Sequence, residues 1–338
     1  MTTGKSFIVK AAIMTFSLSC AVPSVMAEPI RMRISVDSPA GHIKTIVMGE
    51  YVAAIKAKAG DKLAIELFHS GQLFNDRDVS KAIRQGAVEM AAPGTWLLGG
   101  IEPNFNFTGL PVTYGIDPAR LRVITDGEIG QELNKSLEAK LNAKVLGPWL
   151  EMGSAHWYTV NKPINRYDDL KGLTIRSPGG ATNELRLKFF NTNPVTIAYP
   201  DLAMALSQKK ADGMISAPDS MVSTKMWEAG VKYSFADDQL PAHYVPLVSL
   251  AFWEKLPQEL KNILTDTWRD QVPAQRAAMR KAIAAARETL LANGVKIVDA
   301  DEKSRTEARN RMMQNYDEWI KAAKVDPEFA RRLKIALP

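Results

Sequence analysis

Apolar residues recur with two different periods along the first third of the chain. Strict alternation over residues 31–36 and 63–68 predicts two strands. Helical spacing fills the interval between them and is carried by Ile43, Ile46, Val47, Val52 and Ile55. A second helix is predicted to end at Gly86, and a short strand is predicted over residues 88–92. This order of strands and helices is typical of a mostly parallel sheet covered by helices.

A second series of the same kind follows further along the chain. Strands are predicted over residues 156–160, 173–176, 195–199 and 214–216, and helices over residues 182–190 and 200–210. The chain therefore contains two α/β units in series. No period of 20–50 residues repeats in the sequence, which excludes a solenoid.

The composition changes after Leu256, where alanine, arginine and leucine become frequent. A long helix is predicted over residues 257–293, and Pro273 inside it predicts a kink or a break. A strand at residues 295–298 and helix over residues 302–334 complete the chain. The apolar positions of the long helix do not hold a heptad, so we interpret it as a packing helix rather than a coiled coil.

Composition agrees with an ordinary globular protein of about two domains. The chain has 338 residues, of which 46% are hydrophobic and 24% charged, and about 150 residues make a typical domain. The formal net charge of +6 is spread along the chain without a basic block. We therefore expect no nucleic-acid partner.

The first 27 residues have the pattern of a bacterial secretory signal peptide. Lys5 and Lys10 precede an apolar stretch at residues 11–22, and Val25-Met26-Ala27 forms a cleavage site of small residues. We therefore predict export to the periplasm. The alternative of a lipid anchor at Cys20 is disfavoured, because the preceding leucine is one place away from where a lipobox requires it. Cys20 is the only cysteine, so the mature chain would contain no disulfide.

No catalytic or metal-binding pattern stands out in the sequence. The four histidines, His42, His69, His156 and His243, show no metal-ligand spacing. A nucleophile elbow and a phosphate-binding loop are also missing from the sequence. We therefore expect neither an enzyme nor a cofactor or metal. Two lobes that close on a ligand without chemistry fit an exported chain of this kind.

Three segments, in their order and spacing, resemble one known family. They are residues 65–77 with Gly71-Gln72-Leu73 and Asp76-Arg77, residues 161–178 with Asn161-Lys162-Pro163-Ile164 and Lys171-Gly172-Leu173-Thr174-Ile175-Arg176-Ser177-Pro178, and residues 193–213 with Ala211-Asp212-Gly213. The chain is similar to the periplasmic solute-binding subunits of tripartite ATP-independent periplasmic (TRAP) transporters, of the four-carbon-dicarboxylate-binding type. The similarity covers nearly the whole chain after the predicted signal peptide.

This resemblance implies a two-lobed α/β fold, with a ligand cleft between the lobes and a long bent helix spanning them. Lobe I would comprise residues 28–153 and about 240–283. Lobe II would comprise residues 154–239 and about 284–338. The implied partners are a small organic-acid ligand and the membrane permease subunits of the transporter, and the chain is expected to be a monomer.

The resemblance also implies a binding role for Arg176, because the matching arginine of the family pairs with the substrate carboxylate. A planar guanidinium fork suits that role in geometry and charge. From the residues alone, a single arginine on a strand is more often a surface or ion-pair residue. Many family members carry a second arginine where this chain has His156, and a histidine would hold a second anionic group less strongly.

The other predicted ligand contacts come from matching or neighbouring positions. They are His156, Ser216, Thr95, Trp96, Trp157 and Tyr199, with Asp37 and Ser38 on the first strand–helix loop. With one firm arginine, this set favours a monocarboxylate with an apolar or aromatic body over a four-carbon dicarboxylate. Asp219 either accepts a ligand hydroxyl or, as the preferred interpretation, caps a helix over residues 219–228.

Two alternatives to a TRAP solute-binding subunit remain open from the sequence. One is the binding protein of an ATP-driven transporter, which would share the two lobes. The other is a secreted enzyme that uses His156 as a base, which would need a nucleophile or an acid nearby.

Overall fold

The computed structural model describes residues 1–2 and 28–337. Nearly all of the predicted signal peptide, including Cys20 and the cleavage site, lies outside the described residues. Among those residues, the helices are either too short or too polar to cross a membrane.

Two sheets and the helices around them make up the described part of the chain. The strands are β1 (Ile30–Ser35), β2 (Leu63–Phe68), β3 (Met90–Ala91), β4 (Ala143–Val145), β5 (Leu150–Thr159), β6 (Thr174–Ser177), β7 (Asn193–Thr196), β8 (Gly213–Ser216), β9 (Tyr233–Tyr244), β10 (Leu247–Ser249) and β11 (Lys296–Asp299). The α-helices are α1 (Ile43–Ala59), α2 (Asp76–Arg84), α3 (Thr95–Leu98), α4 (Pro118–Asp126), α5 (Glu128–Leu141), α6 (Ala181–Phe189), α7 (Leu202–Ser207), α8 (Pro218–Ser223), α9 (Leu250–Trp253), α10 (Gln258–Ala292), α11 (Glu302–Met313), α12 (Tyr316–Ala322) and α13 (Pro327–Ala336). Short 3-10 helices lie at Gly60–Lys62, Pro103–Gly109, Pro111–Thr113, Tyr167–Leu170 and Tyr199–Asp201.

The first sheet has the strand order β2-β1-β3-β10-β4. The predicted parallel arrangement is present in β1, β2 and β3, whereas β10 runs antiparallel to both of its neighbours. The alternation in β1 places Met32 and Ile34 in the core, where both are fully buried. Helix α1 covers this sheet with its buried residues Val47, Met48 and Tyr51.

The second sheet has the strand order β11-β9-β5-β8-β6-β7. Its parallel pairs are β6 with β7, β6 with β8, and β11 with β9, while β5 is antiparallel to β8 and β9. Strands β5 and β9 are the longest and pair from Leu150 opposite Tyr244 to Thr159 opposite Tyr233. The predicted lobe boundaries near residues 153 and 240 fall inside these two strands, and the boundaries stay a prediction.

Helix α10 connects the two units along one side of the molecule. It is a single helix of 35 residues that continues through Pro273 rather than breaking there. It packs against α1 of the first unit and against α8 and β11 of the second. Arg276 fixes its middle, because its guanidinium donates to both carboxylate oxygens of Asp126 and to the carbonyl of Trp149.

The C-terminal region is divided into three helices rather than the one predicted helical stretch. Asp326 caps α13 by accepting from the backbone N–H of Phe329, and proline follows it at the first helical position. The Phe329 ring packs edge-on against Phe107 at 6.1 Å. The end of the chain therefore contacts the 3-10 segment Pro103–Gly109 as well as the second sheet's core.

Candidate functional site

A cavity lies where the carboxyl ends of strands from both sheets face each other. The empty space between its lining atoms, including space open to solvent, is about 640 Å³. Its polar lining consists of Asp37, Ser38, His42, Asp76, Arg77, Arg176, Ser216 and Ser220. Its apolar and aromatic lining includes Trp96, Met152, Ala155, Tyr199, Leu240 and Tyr244. Open α/β sheets bind ligands at this edge because the loops after parallel strands meet there.

Arg176 is a buried cation of this cavity with little support from the protein. It lies on β6, is 4% exposed, and donates from Nε to the carbonyl of Ile197 at 2.9 Å. Among the described residues, its Nη1 and Nη2 have no hydrogen-bond partner, and no carboxylate lies within salt-bridge distance. Burial lowers its pKa to about 10, so it remains charged at neutral pH. A buried cation without a counter-ion is unfavourable, and a bound carboxylate would relieve that cost.

A buried group of opposite charges lies on the first-sheet side of the cavity. Lys44 Nζ donates to Asp37 Oδ1 at 2.8 Å and to Asp76 Oδ1 at 3.4 Å. Burial alone would lower the pKa of Lys44, but the two carboxylates outweigh burial and raise it. Burial and the charge of Asp37 raise the pKa of Asp76 to about 7. We call these three residues the Asp37–Lys44–Asp76 cluster.

His42 joins the two units at the bottom of the cavity. Its Nδ1 accepts the backbone N–H of Lys44 at 3.0 Å, so the neutral ring carries its proton on Nε2. That Nε2 donates to Ser220 Oγ at 2.9 Å, across to α8. Burial lowers the pKa of His42 to about 4, which keeps the ring neutral at physiological pH. Tyr199 lies edge-on to His42 at 6.2 Å and donates to the carbonyl of Ser220.

Asp219 does not cap α8, contrary to the preferred sequence interpretation. The helix runs from Pro218 to Ser223 and its N-cap is Ala217, so Asp219 is the second helical residue. Both of its carboxylate oxygens are buried without a hydrogen-bond partner, and Oδ2 lies 3.5 Å from His42 Nε2. Burial raises its pKa to about 7.

Six of the predicted contact residues line this cavity. They are Asp37, Ser38, Trp96, Arg176, Tyr199 and Ser216. Trp96 lies edge-on to Tyr244 with ring centres 5.8 Å apart. Trp96 and Tyr244 therefore form an aromatic wall on the first-sheet side.

The structure places the other three predicted residues, Thr95, His156 and Trp157, away from the cavity. His156 pairs with Asp238 at 3.0 Å in a separate groove, and the Trp157 indole donates to Asp237 in the core. His156 faces that groove because side chains alternate along β5: Ser154 and His156 line the groove, whereas Ala155 lines the cavity. Thr95 is fully buried.

Several cavity residues were not among the predicted contacts. They are His42, Asp76, Arg77, Ser220 and Tyr244. Asp76 and Arg77 belong to one of the segments that carry the family resemblance, so that segment contained a signal for them. Nothing in the local sequence marks His42 or Tyr244, because long-range pairing of β9 and the position of α8 bring them to the cavity.

The fold has two units with a cavity between their sheets. Residues 35–322 match the family of bacterial extracellular solute-binding proteins, family 7, also named DctP. The chain belongs to this family and is a solute-binding protein of the TRAP transporter type, which confirms the resemblance predicted from the sequence. Neither the ATP-driven transporter nor the enzyme is favoured by this assignment.

Similar proteins span almost the same length as this chain. A solute-binding protein from Chromohalobacter salexigens is 25% identical over 312 residues, 92% of this chain and 91% of that one. The C4-dicarboxylate-binding periplasmic protein DctP of Rhodobacter capsulatus is 28% identical over 257 residues, 72% of each chain. The structure of the sugar acid binding protein from Advenella mimigardefordensis, in complex with galactonate, matches with a TM-score of 0.86 at 20% identity, covering 92% of this chain and 98% of that one. The predicted two-lobed α/β fold is thereby confirmed.

Proposed function

We propose that this protein captures a small organic acid whose carboxylate pairs with Arg176 in the cavity between the sheets. The observation that carries the proposal is the buried guanidinium with two terminal nitrogens that have no partner among the described residues. Two parallel N–H donors fit the two oxygens of a carboxylate. Exclusion of water from the closed cavity strengthens this pairing.

The apolar lining supports a ligand with one firmly held carboxylate. Met152, Ala155 and Leu240 face the cavity together with the rings of Trp96 and Tyr199. His156 occupies the position where many family members carry a second arginine for a second anionic group. In this chain His156 lies in another groove. These features support a monocarboxylate, whereas the relative from Rhodobacter capsulatus is named for C4-dicarboxylates.

We further propose that the protein acts in the periplasm and delivers its ligand without turnover. The lobes close over the acid, and the closed form docks on membrane permease subunits. An ion gradient across the membrane, used by those subunits, would supply the energy of transport. The family assignment supports this role. The chain is proposed to act as a monomer.

A binding experiment with three variants tests the role of Arg176. Residues 28–338 are screened against organic acids by thermal shift, and each ligand that binds is titrated by calorimetry. A ligand at 100 times its dissociation constant adds about 2.7 kcal/mol of stability, which is readily detected. Recovery of the bound acid by mass spectrometry after incubation tests for turnover, and an altered acid would contradict a pure binding role.

Arg176→Ala is expected to weaken binding by about 100-fold or more, since it leaves the ligand charge buried without its partner. Arg176→Lys is expected to weaken binding as well, because a point charge cannot make the paired bonds. Arg166→Ala is the matched control, since Arg166 is an exposed arginine of the same unit, with 75% side-chain exposure. Binding within a few-fold of the unmodified protein in Arg176→Ala would show that this site is assigned wrongly.

A further inference from the structure

We propose that the Asp37–Lys44–Asp76 cluster makes the cavity selective for hydroxylated monocarboxylates and excludes dicarboxylates of the same length. In this proposal Asp37 accepts a hydrogen bond from a ligand hydroxyl, while the negative charge of the cluster repels a second carboxylate. The inference rests on the proposed pairing of the ligand carboxylate with Arg176.

The free oxygen of Asp37 is the acceptor in this arrangement. Its Oδ1 accepts from Lys44 Nζ at 2.8 Å and from Ser38 Oγ at 3.1 Å. Its Oδ2 receives no hydrogen bond from the residues that the structure describes, and Asp37 lines the cavity. Burial alone would raise the pKa of Asp37, but the charge and hydrogen bond of Lys44 outweigh burial and hold the pKa below its ordinary value. An ionised carboxylate with a free oxygen is a strong acceptor for a hydroxyl.

Lys44 is not available to bind a ligand carboxylate. Its side chain is 1% exposed, and its ammonium group is shared between Asp37 and Asp76. The same ammonium lies 4.1 Å from the centre of the Tyr244 ring, which covers it from another side. Its charge is therefore used inside the cluster, where it keeps Asp37 ionised.

The charges of the cluster do not balance. Two carboxylates face one ammonium group, so the cluster carries one net negative charge when both carboxyls are ionised, that is, above the Asp76 pKa of about 7. Asp76 Oδ2 receives only a 3.4 Å contact from the backbone N–H of Gly94, which leaves much of its charge uncompensated. A second ligand carboxylate at this end would meet like charge in a site with little water, and such contacts are strongly unfavourable. A hydroxyl at the same place carries no charge and can donate.

Arg77 is the other cation at the cavity, and it does not change this balance. Unlike Lys44 and Arg176, it is exposed. An exposed arginine that keeps its water gains little from an ion pair. The contribution of Arg77 to the affinity for aldonates and aldarates can be measured separately with Arg77→Ala.

The test uses ligand pairs that differ only at the end remote from the first carboxylate. D-gluconate and D-glucarate form one pair, D-galactonate and galactarate a second, and D-erythronate and meso-tartrate a third. Butanoate and hexanoate, which lack hydroxyls, measure the contribution of the hydroxyl groups. Each acid is titrated by calorimetry into the unmodified protein, Asp37→Asn, Asp76→Asn and Arg176→Ala. Asp78→Asn is the matched control, because Asp78 is an exposed aspartate on the same helix as Asp76.

The unmodified protein is expected to bind at least one aldonate at least about 30-fold more tightly than its aldarate, and more tightly than the fatty acid of equal length. Asp37→Asn is expected to weaken aldonate binding by about tenfold or more. It is also expected to reduce the ratio of aldonate affinity to aldarate affinity to below about fivefold. Asp76→Asn keeps the contact between Lys44 and Asp37, so the protein is expected to stay folded. This variant is expected to reduce the ratio of aldonate affinity to aldarate affinity. Thermal unfolding of each variant without ligand checks the fold.

Two results would overturn the inference. One is an aldarate that binds as tightly as its aldonate in the unmodified protein, and the other is a ratio that neither Asp37→Asn nor Asp76→Asn changes. If such an aldarate loses its affinity in Arg176→Ala, the proposed function stands and only the selectivity is refuted. Binding that survives in Arg176→Ala would instead refute the proposed function.

Discussion

Replacing Asp219 with asparagine is expected to stabilise the protein, and to do so more at high pH than at low pH. The carboxylate is buried beneath the cavity and both of its oxygens have no hydrogen-bond partner. His42 Nε2 lies 3.5 Å from Oδ2, but its proton is already donated to Ser220, and the backbone N–H groups of Ser220 and Asp219 lower the pKa by less than burial raises it. Burial therefore favours the protonated carboxyl and raises its pKa from 3.8 to about 7.

The size and sign of the effect follow from this difference in pKa. The folded state binds the proton more tightly than the unfolded state, so stability falls as pH rises between the two pKa values. At 1.36 kcal/mol per pKa unit, the full effect is about 4 kcal/mol and is reached above pH 7. At pH 5, where the unfolded carboxyl is already mostly ionised, it is about 1.7 kcal/mol. Asp219→Asn removes this ionisation, so the stability gained should increase by more than 2 kcal/mol from pH 5 to pH 8.5.

Urea unfolding of the unmodified protein and of Asp219→Asn, at pH 5 and pH 8.5, measures this difference. Asp76 and the other buried carboxyls titrate in both proteins, so their effects cancel in the comparison. An equal difference between the two proteins at both pH values would refute the reasoning. A destabilised variant at pH 8.5 would also refute it, because it would show that ionised Asp219 makes a favourable contact.

Three further substitutions test other features of the structure. Trp268→Ala should lower the free energy of unfolding in urea by about 3–5 kcal/mol, because the ring is fully buried; a loss below 1 kcal/mol would contradict its core position. Arg276→Met should lower the same free energy by about 2 kcal/mol, because it removes the two bonds to the partly exposed Asp126; full stability would show that the pair contributes little. Gly180→Ala places a methyl group 2.4 Å from the carbonyl oxygen of Trp96 at a φ of +91°, so calorimetry should show ligand affinity reduced about tenfold or more as closure is obstructed; unchanged affinity would show that the two segments can separate without loss.

Local patterns were sufficient to predict several of the regular elements of each unit. The alternation in residues 63–68 agrees with β2 residue for residue, and the helical spacing from Ile43 to Ile55 lies within α1. Both are half-buried elements whose period is visible in the sequence. Residues 100–147 were not interpreted. The short 3-10 turns at residues 103–113 have no single period, but Leu133, Leu137 and Leu141 of α5 do recur at helical spacing, and that pattern was missed.

The site could be predicted only where a side chain follows directly from its own strand or loop. Arg176 and Ser216 lie at strand ends, and Asp37 follows β1, so the order of elements places all three at the same edge. The orientation of His156 could not be predicted, because the sequence does not show which of the two alternating faces of β5 lines the cavity, and Ala155 rather than His156 lies on that face. Lys44 was missed because an ammonium group is rarely buried, and only the folded chain reveals its two carboxylate partners.

The order of strands in the first sheet also determines when this part of the protein can finish folding. Its strands come from residues 30–91, 143–145 and 247–249, and β10 lies between β3 and β4. The sheet therefore stays incomplete until residue 249 has been synthesised. At roughly 5–20 residues per second, that delay after β1 lasts roughly 10–45 s. Such distant pairings make folding slow, so the first sheet is completed late in the folding of this chain.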